Sequence, residues 1–280
     1  MRAATTDTTV AGVRAPGTMR QLVVTWQHPI ERSISPVGLL GFDGETYSFC
    51  YIRNALQVPG FRPFLGFPDL DRWYASPVLF PLFAQRAMGC RRPDFARWVT
   101  RLGLGADASP WEQITRSGGH RQGDTIQLFP VPRITAGRLE CGFLVHGMRH
   151  VLERPIVVGD TVTTVSREEL ERTLSELHPG DELGLCDEPT NRANPRAILT
   201  TARGEVPLGW IPNLLVEEVH RIPDRRHATV TVRTVNGPDA GWHLRLLAKL
   251  SAAVPPGFDV FTDPMWEPLA NPRTMGTAGI

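Results

Sequence analysis

Hydrophobic and polar positions along the chain change period several times, and each change marks an element. RQLVVTW (20–26) alternates as a strand does. VGLLGFDGETYSFCYI (37–52) holds two apolar runs around Asp43-Gly44, a two-residue turn signal that predicts a β-hairpin. VLFPLFAQRAM (78–88) and PDFARWVTRLGL (93–104) carry helical spacing, with Pro93 at the first turn of the second and Gly103 near its end. ASPWEQITRSGG (108–119) predicts a short helix: Ser109 is the N-cap, Pro110 is N1, and Glu112 completes a capping box. GDTIQLFPVP (123–132) closes this segment as a strand.

A Pro/Gly-marked connection leads into a second segment. CGFLVHGM (141–148) reads as a strand, and VVGDTVTTV (157–165) contains another. SREELERTLSEL (166–177) is a helix with Ser166 and Glu169 at capping-box spacing and Leu170, Leu174 and Leu177 on one face. Short strands follow in GDELGLCDE (180–188), RAILTTA (196–202) and LGWIP (208–212). NLLVEEVHRI (213–222) is a second helix, and HATVTVRTVN (227–236) alternates as a strand. From 255 onward the chain reads as loop and then tail. The pattern implies an α+β protein of two domains, at 19–133 and 134–268, between a disordered leader (1–18) and a flexible tail (269–280).

Composition narrows the function classes. A hydrophobic fraction of 41% with 21% charged residues is that of a globular protein, and no window approaches the length of a membrane helix. The leader lacks the apolar core of a signal peptide. Cys50, Cys90, Cys141 and Cys186 are widely spaced and form no CxxC pair, so the expectation is reduced thiols, no metal, no cofactor and a cytoplasmic, non-membrane protein. Net charge is only +1, but unevenly spread: residues 1–140 carry 16 basic and 11 acidic groups, and residues 141–222 carry 8 and 13. Lys249 is the one lysine among 30 basic residues, so nearly every cation is a planar guanidinium suited to bidentate contact.

Three runs in the second segment, in order, carry a family resemblance. They are Phe143-Leu144-Val145-His146-Gly147-Met148-Arg149-His150, then Asp187-Glu188-Pro189-Thr190-Asn191-Arg192-Ala193-Asn194-Pro195-Arg196-Ala197-Ile198, then Leu208-Gly209-Trp210-Ile211-Pro212-Asn213. Together they resemble the HIRAN domain, whose second run reads EP-x-N-P-Y-D-x-N-A-I. That resemblance implies a small β-barrel of the oligonucleotide-binding kind with two helices, which holds single-stranded or terminal DNA. By position it makes Arg149 a phosphate holder and His150 a stacking platform, with Asn191, Arg192, Asn194, Arg196 and Trp210 around them. Trp210 has a second reading as core. Ala193 and Asn194 stand where the family has Tyr and Asp, so one stacking ring and one carboxylate of the family's site are absent.

Residues 20–130 resemble the N-terminal subdomain of HipA-type kinases. The residues that carry this are Val37-Gly38-Leu39-Leu40, the hairpin with Tyr47, Ser48, Phe49 and Tyr51, the run Val78-Leu79-Phe80-Pro81-Leu82-Phe83, and the turn Ser117-Gly118-Gly119-His120-Arg121-Gln122-Gly123-Asp124. No kinase lobe follows. This resemblance implies an alternative role, an antitoxin-like adaptor that restrains a separately encoded HipA-type kinase.

Other chemistry is sparse. Gly118-Gly119 lacks the phosphate-loop pattern and reads as a turn. His146 and His150, on one predicted strand, would face the same side near Glu153, and His120 with Asp124 would bond within one turn. The cluster Phe61, Phe64, Phe67, Trp73 and Tyr74 is either a core seam or an exposed partner patch. No nucleophile, metal cluster or carboxylate pair emerges, so no catalytic residue is assigned.

Overall fold

The computed structural model describes residues 19–121 and 123–270. The leader at 1–18 and the tail beyond 270 lie outside the described residues. The first part of the chain forms β1 (Arg20–Gln27), β2 (Ile34–Phe42), β3 (Tyr47–Tyr51), β4 (Tyr74–Ser76), α1 (Pro81–Ala84), α2 (Phe95–Arg101), α3 (Pro110–Ser117) and β5 (Ile126–Pro130). Its strands make an antiparallel sheet in the order β4-β3-β2-β1-β5. β1 lies between β2 and β5, and Leu22, Val23, Val24 and Thr25 are all buried, so both of its faces are covered.

The turn between β2 and β3 is looser than Asp43-Gly44 predicts. Asp43 Oδ1 accepts from the amides of both Glu45 and Thr46, at 2.9 and 2.8 Å, making a four-residue Asx turn. The expected helix at 78–88 shrinks to the four residues of α1. Pro81 sets its first turn, and Phe83 is buried. α3 forms as predicted, with both bonds of the Ser109–Glu112 capping box present.

The aromatic cluster is core. Phe64 and Phe67 are buried, with Phe61 and Tyr74 packed against them. The Tyr51 hydroxyl donates to the Phe67 carbonyl at 2.9 Å and accepts from the Phe64 amide at 2.6 Å, which pins the irregular loop to β3. The rings of Phe49 and Phe67 stand 4.4 Å apart. The exposed-patch reading is therefore set aside for these four residues, and Trp73 is half-buried outside them.

The second part forms β6 (Arg133–Thr135), β7 (Arg138–Leu144), β8 (Ile156–Val158), β9 (Thr161–Thr163), α4 (Arg167–Glu176), β10 (Glu182–Asp187), β11 (Ile198–Ala202), β12 (Val206–Trp210), α5 (Asn213–Arg221), β13 (Thr229–Val235) and β14 (Leu246–Ala253). Seven strands make a curled antiparallel sheet in the order β12-β11-β10-β13-β14-β7-β6, and β8 and β9 form a separate hairpin. Just beyond the end of β7, His146 and Trp210 exchange backbone hydrogen bonds of 2.8 and 2.9 Å. This bridge draws the β7 end of the sheet toward β12 and bends the sheet into a half-barrel. Leu170 and Leu174 of α4 and Leu215, Val216 and Val219 of α5 fill its core. The expected α+β class is observed.

CGFLVHGM is not one strand. β7 stops at Leu144, and Met148–Leu152 is a turn of 3-10 helix entered through Gly147 at φ 68°. His146 and His150 therefore do not share a strand face. VVGDTVTTV is likewise two strands, β8 and β9, rather than one.

The two parts meet at several places. Leu102 packs with Ala240 and Leu244, the Asn236 side chain donates to the Arg101 carbonyl at 2.9 Å, and Arg101 pairs with Asp239. Farther on, the chain returns to the first sheet. The Arg53 amide donates to the Glu267 carbonyl at 2.8 Å and the Leu269 amide to the Tyr51 carbonyl at 2.9 Å, while Arg53 and Glu267 form an ion pair at 2.6 Å. Leu269 and Ala270 thus belong to the folded unit, not to the tail expected from 269. Among the described residues no helix is long and apolar enough to cross a membrane.

Candidate nucleic-acid interface

Between the two sheets lies a cleft of about 850 Å³. One wall comes from the end of α3, the turn at His120 and β5. The other comes from β6, β7, the 3-10 turn at Met148–Leu152, β13, the segment at Trp242-His243 and β14. The side chains at this surface include Arg116, Arg133, Arg149, Arg233 and Lys249. Glu140 is the single carboxylate in the lining, and it pairs with Lys249. That bond, reinforced by the charges of Lys249, Arg138 and Arg233, holds the Glu140 carboxyl below its usual range.

Strand geometry explains the arrangement. Thr231 of β13 is register partner to Lys249 of β14, which is partner to Gly142 of β7. These three share one face, and Arg233 follows at an irregularity between Val232 and Thr234, where it has no register partner and reaches the same cleft. Gly142 leaves Lys249 open space beside the cleft. On the other wall, α3 ends at Gly118 in the left-handed conformation, φ 67°, so the chain turns away immediately after Arg116 and Ser117.

Flat rings line the same space: Phe129, Phe143, Trp242, His120, His146, His150 and His243. The His120 and His243 rings are 5.2 Å apart, and Phe129 and His146 are 5.7 Å apart. Burial, with the neighbouring His243 and His120 adding to it, pushes the His146 imidazole down to about 4. His243 is lowered too, first by burial and then by His120. These rings are therefore neutral at pH 7 and present faces rather than charges. The guanidiniums of Arg167 and Arg245 lie 5.3 and 5.4 Å from the centre of the Trp242 ring. Arg245 is itself fixed by a bidentate pair to Glu171 at 2.7 and 2.6 Å.

The sequence-predicted residues divide between two places. Arg149 and His150 line the cleft, exposed, with Glu153 at 3.7 Å from Arg149 and 2.7 Å from His150. Asn191, Arg192, Asn194, Arg196 and Trp210 do not line it. Asn191 Oδ1 accepts from the amides of Ala193 and Asn194 at 3.0 and 3.2 Å, an Asx turn that shapes its own loop. Asn194 bonds Asn213, Arg196 pairs with Glu217 at 3.0 Å, and Arg192 is exposed.

Trp210 is half-buried, and its indole N–H donates to Glu188 Oε2 at 2.7 Å. Glu188 is fully buried and also accepts from Arg154 at 2.5 Å and Asn191 at 2.8 Å. The core reading of Trp210 fits this setting better than the stacking one. His120 and Asp124 do not pair, since Asp124 accepts from the buried Arg86 instead. Among the described residues no group of three or more His, Cys, Asp or Glu side chains has the arrangement to hold a metal ion.

Arg116, Arg133, Arg233, Lys249, His120, His243 and Trp242 were not singled out from the sequence as a binding surface. They span positions 116 to 249 and share no local motif. The faint signals are the half-buried Thr231 and exposed Arg233 of an alternating strand, and one lysine inside the apolar run LLAKLSAA.

A scan of protein-family models matches none to this chain, so neither the HIRAN nor the HipA resemblance has a matching model. A search of curated proteins also finds no match. Among solved structures, the chain is similar to the HIRAN domain of human HLTF. Identity is 15%, the match covers 42% of this chain and 78% of that one, and the TM-score is 0.25. A likeness of that size assigns no ligand to the cleft.

Proposed function

We propose that this protein is a non-catalytic nucleic-acid-binding module that takes a single-stranded or terminal segment into the cleft between its two sheets. The observation that carries the reading is the convergence of five cations and seven flat rings on one surface with a single carboxylate. Cations along a groove hold phosphates, and ring faces stack bases without regard to sequence. At about 850 Å³ the cleft has the size of a ligand pocket, enough for nucleotides and too small for a duplex. On this reading residues 134–268 supply a HIRAN-like half-barrel as one wall, and the more basic part at 19–133 supplies the other. Arg149 and His150 sit at the mouth.

Fluorescence anisotropy with a labelled single strand tests it. Five cations, with Lys249 already held by Glu140 and Arg149 in only a long, exposed contact with Glu153, predict that log affinity falls with log salt at a slope of about −3, from roughly 0.7 per phosphate contact. Absence of binding at about 50 mM salt, where phosphate contacts are strongest, overturns the proposal.

A further inference from the structure

Arg116 and Arg233 approach the cleft from opposite walls, one at the end of α3 and the other on β13. Among the described residues neither has an ion-pair partner. The nearest acids are engaged elsewhere. Glu112, one turn before Arg116, is bonded to the Ser109 hydroxyl and amide at 2.7 and 2.8 Å. Glu140, on the Arg233 side, is bonded to Lys249.

Burial lowers the Arg116 guanidinium below its ordinary range, and the like charge of Arg233 lowers it further. Two like-charged guanidiniums thus face one cleft from its two walls, and among the described residues neither is bonded to a carboxylate. Where a structure tolerates such a pair, an anion that bridges the two offsets their repulsion.

We propose that Arg116 and Arg233 form a clamp for a terminal phosphate group, a phosphomonoester, and that the cleft prefers a phosphorylated strand end to an internal phosphodiester. This rests on the nucleic-acid reading of the cleft. Each guanidinium presents a planar fork of donors that engages two oxygens. An internal phosphodiester carries one charge and two non-bridging oxygens. A terminal phosphate carries about −1.5 to −2 charges at pH 7 and three acceptor oxygens, so it matches two forks better in both charge and acceptor number. The flat rings of His120 and His243 line the same cleft and offer faces for the base next to that phosphate without adding a competing carboxylate.

The test uses one single-stranded sequence in three forms, 5′-phosphorylated, 3′-phosphorylated and unphosphorylated, with the full chain and its Arg116→Gln and Arg233→Gln variants. One phosphorylated form binds roughly tenfold more tightly than the unphosphorylated strand. Inorganic phosphate competes with that form and raises the unfolding midpoint of the protein. Either substitution abolishes the preference, so that phosphorylated and unphosphorylated strands bind alike, with affinity for the unphosphorylated strand also lowered because one cleft cation is lost. In phosphate-free buffer neither substitution lowers the unfolding midpoint, because each removes a repulsion.

Equal affinity for all three strands overturns the clamp and leaves the nucleic-acid reading standing. A midpoint raised by inorganic phosphate, with no strand bound at any salt, does the reverse: the clamp stands and the nucleic-acid reading falls. A lowered midpoint in phosphate-free Arg116→Gln marks a structural arginine and overturns the clamp.

Discussion

Glu188 receives the indole N–H of Trp210 at 2.7 Å, so a fully buried carboxylate fixes the residue that bridges the two ends of the curled sheet. The same carboxylate takes Arg154, whose guanidinium lies over the Trp210 ring at 5.8 Å, and Asn191. Loss of one partner from a buried ion pair costs about 3–5 kcal/mol. Arg154 is 34% exposed and can reach water, which places Glu188→Ala near the low end, at about 3 kcal/mol. Urea unfolding checks this. Glu188→Gln, which keeps the shape and most of the hydrogen bonds, loses less.

Gly147 packs directly against the Trp210 ring. Its φ is 68°, and a Cβ there would stand 2.6 Å from Trp210 Cε3. Left-handed strain and the steric contact together predict that Gly147→Ala destabilises the protein by roughly 2 kcal/mol. The chain next to it carries His146, whose backbone closes the bridge, so amide exchange at His146 and Trp210 speeds up before the rest of the sheet loosens. Unchanged exchange at both amides would contradict this picture of the closure.

Arg149 is exposed and its contact with Glu153 is long, so it contributes little to stability. Arg149→Ala should leave the unfolding midpoint within about 0.5 kcal/mol of wild type. Strand affinity should fall, and the salt slope should become shallower by about 0.7, the share of one phosphate contact. Anisotropy at several salt concentrations reads both quantities. An unaltered slope would place the phosphate path away from the 3-10 turn.

His146 supplies a pH signature. Its imidazole titrates at about 4 in the folded protein against 6.5 in the unfolded chain, because burial disfavours the charged ring. Above pH 6.5 neither state binds the proton and there is no effect. Between about pH 6.5 and 4 the unfolded chain takes up a proton that the folded one refuses, so stability declines as pH falls, by up to roughly 3 kcal/mol. His146→Gln removes this contribution and flattens the acid limb of the stability profile. Thermal unfolding from pH 7.5 to 4.5 compares the two proteins.

Local chemistry in the sequence carried the elements whose signals are local. Ser109, Pro110 and Glu112 define the start of α3, Leu170 and Leu174 the buried face of α4, and alternation the strand β13. β14 escaped because LLAKLSAA has neither a two-residue period nor β-branched residues. Its Leu246, Leu247 and Ala248 are consecutively buried because it lies between β13 and β7. The cleft was half legible. Arg149 and His150 fall in one contiguous run, whereas Arg116, Arg233 and Lys249 converge only through the pairing of β7, β14 and β13 and the packing of the two sheets. Trp210 was visible as a ring, but its engagement with Glu188 depends on a contact across 22 residues.

The clasp between Arg53 and Glu267 joins residues 214 positions apart. During synthesis at about 5–20 residues per second, β3 leaves the ribosome roughly 10–40 seconds before the segment that covers it is made. Through that interval the backbone groups of Tyr51 and Arg53 that later bond Leu269 and Glu267 are without those partners. The first sheet has to survive as an incomplete intermediate, and its final closure waits for the synthesis of Glu267 and Leu269 rather than following its own emergence. Ribosome-stalled chains cut before Glu267 are then the form in which this protein is most open to chaperones and proteases.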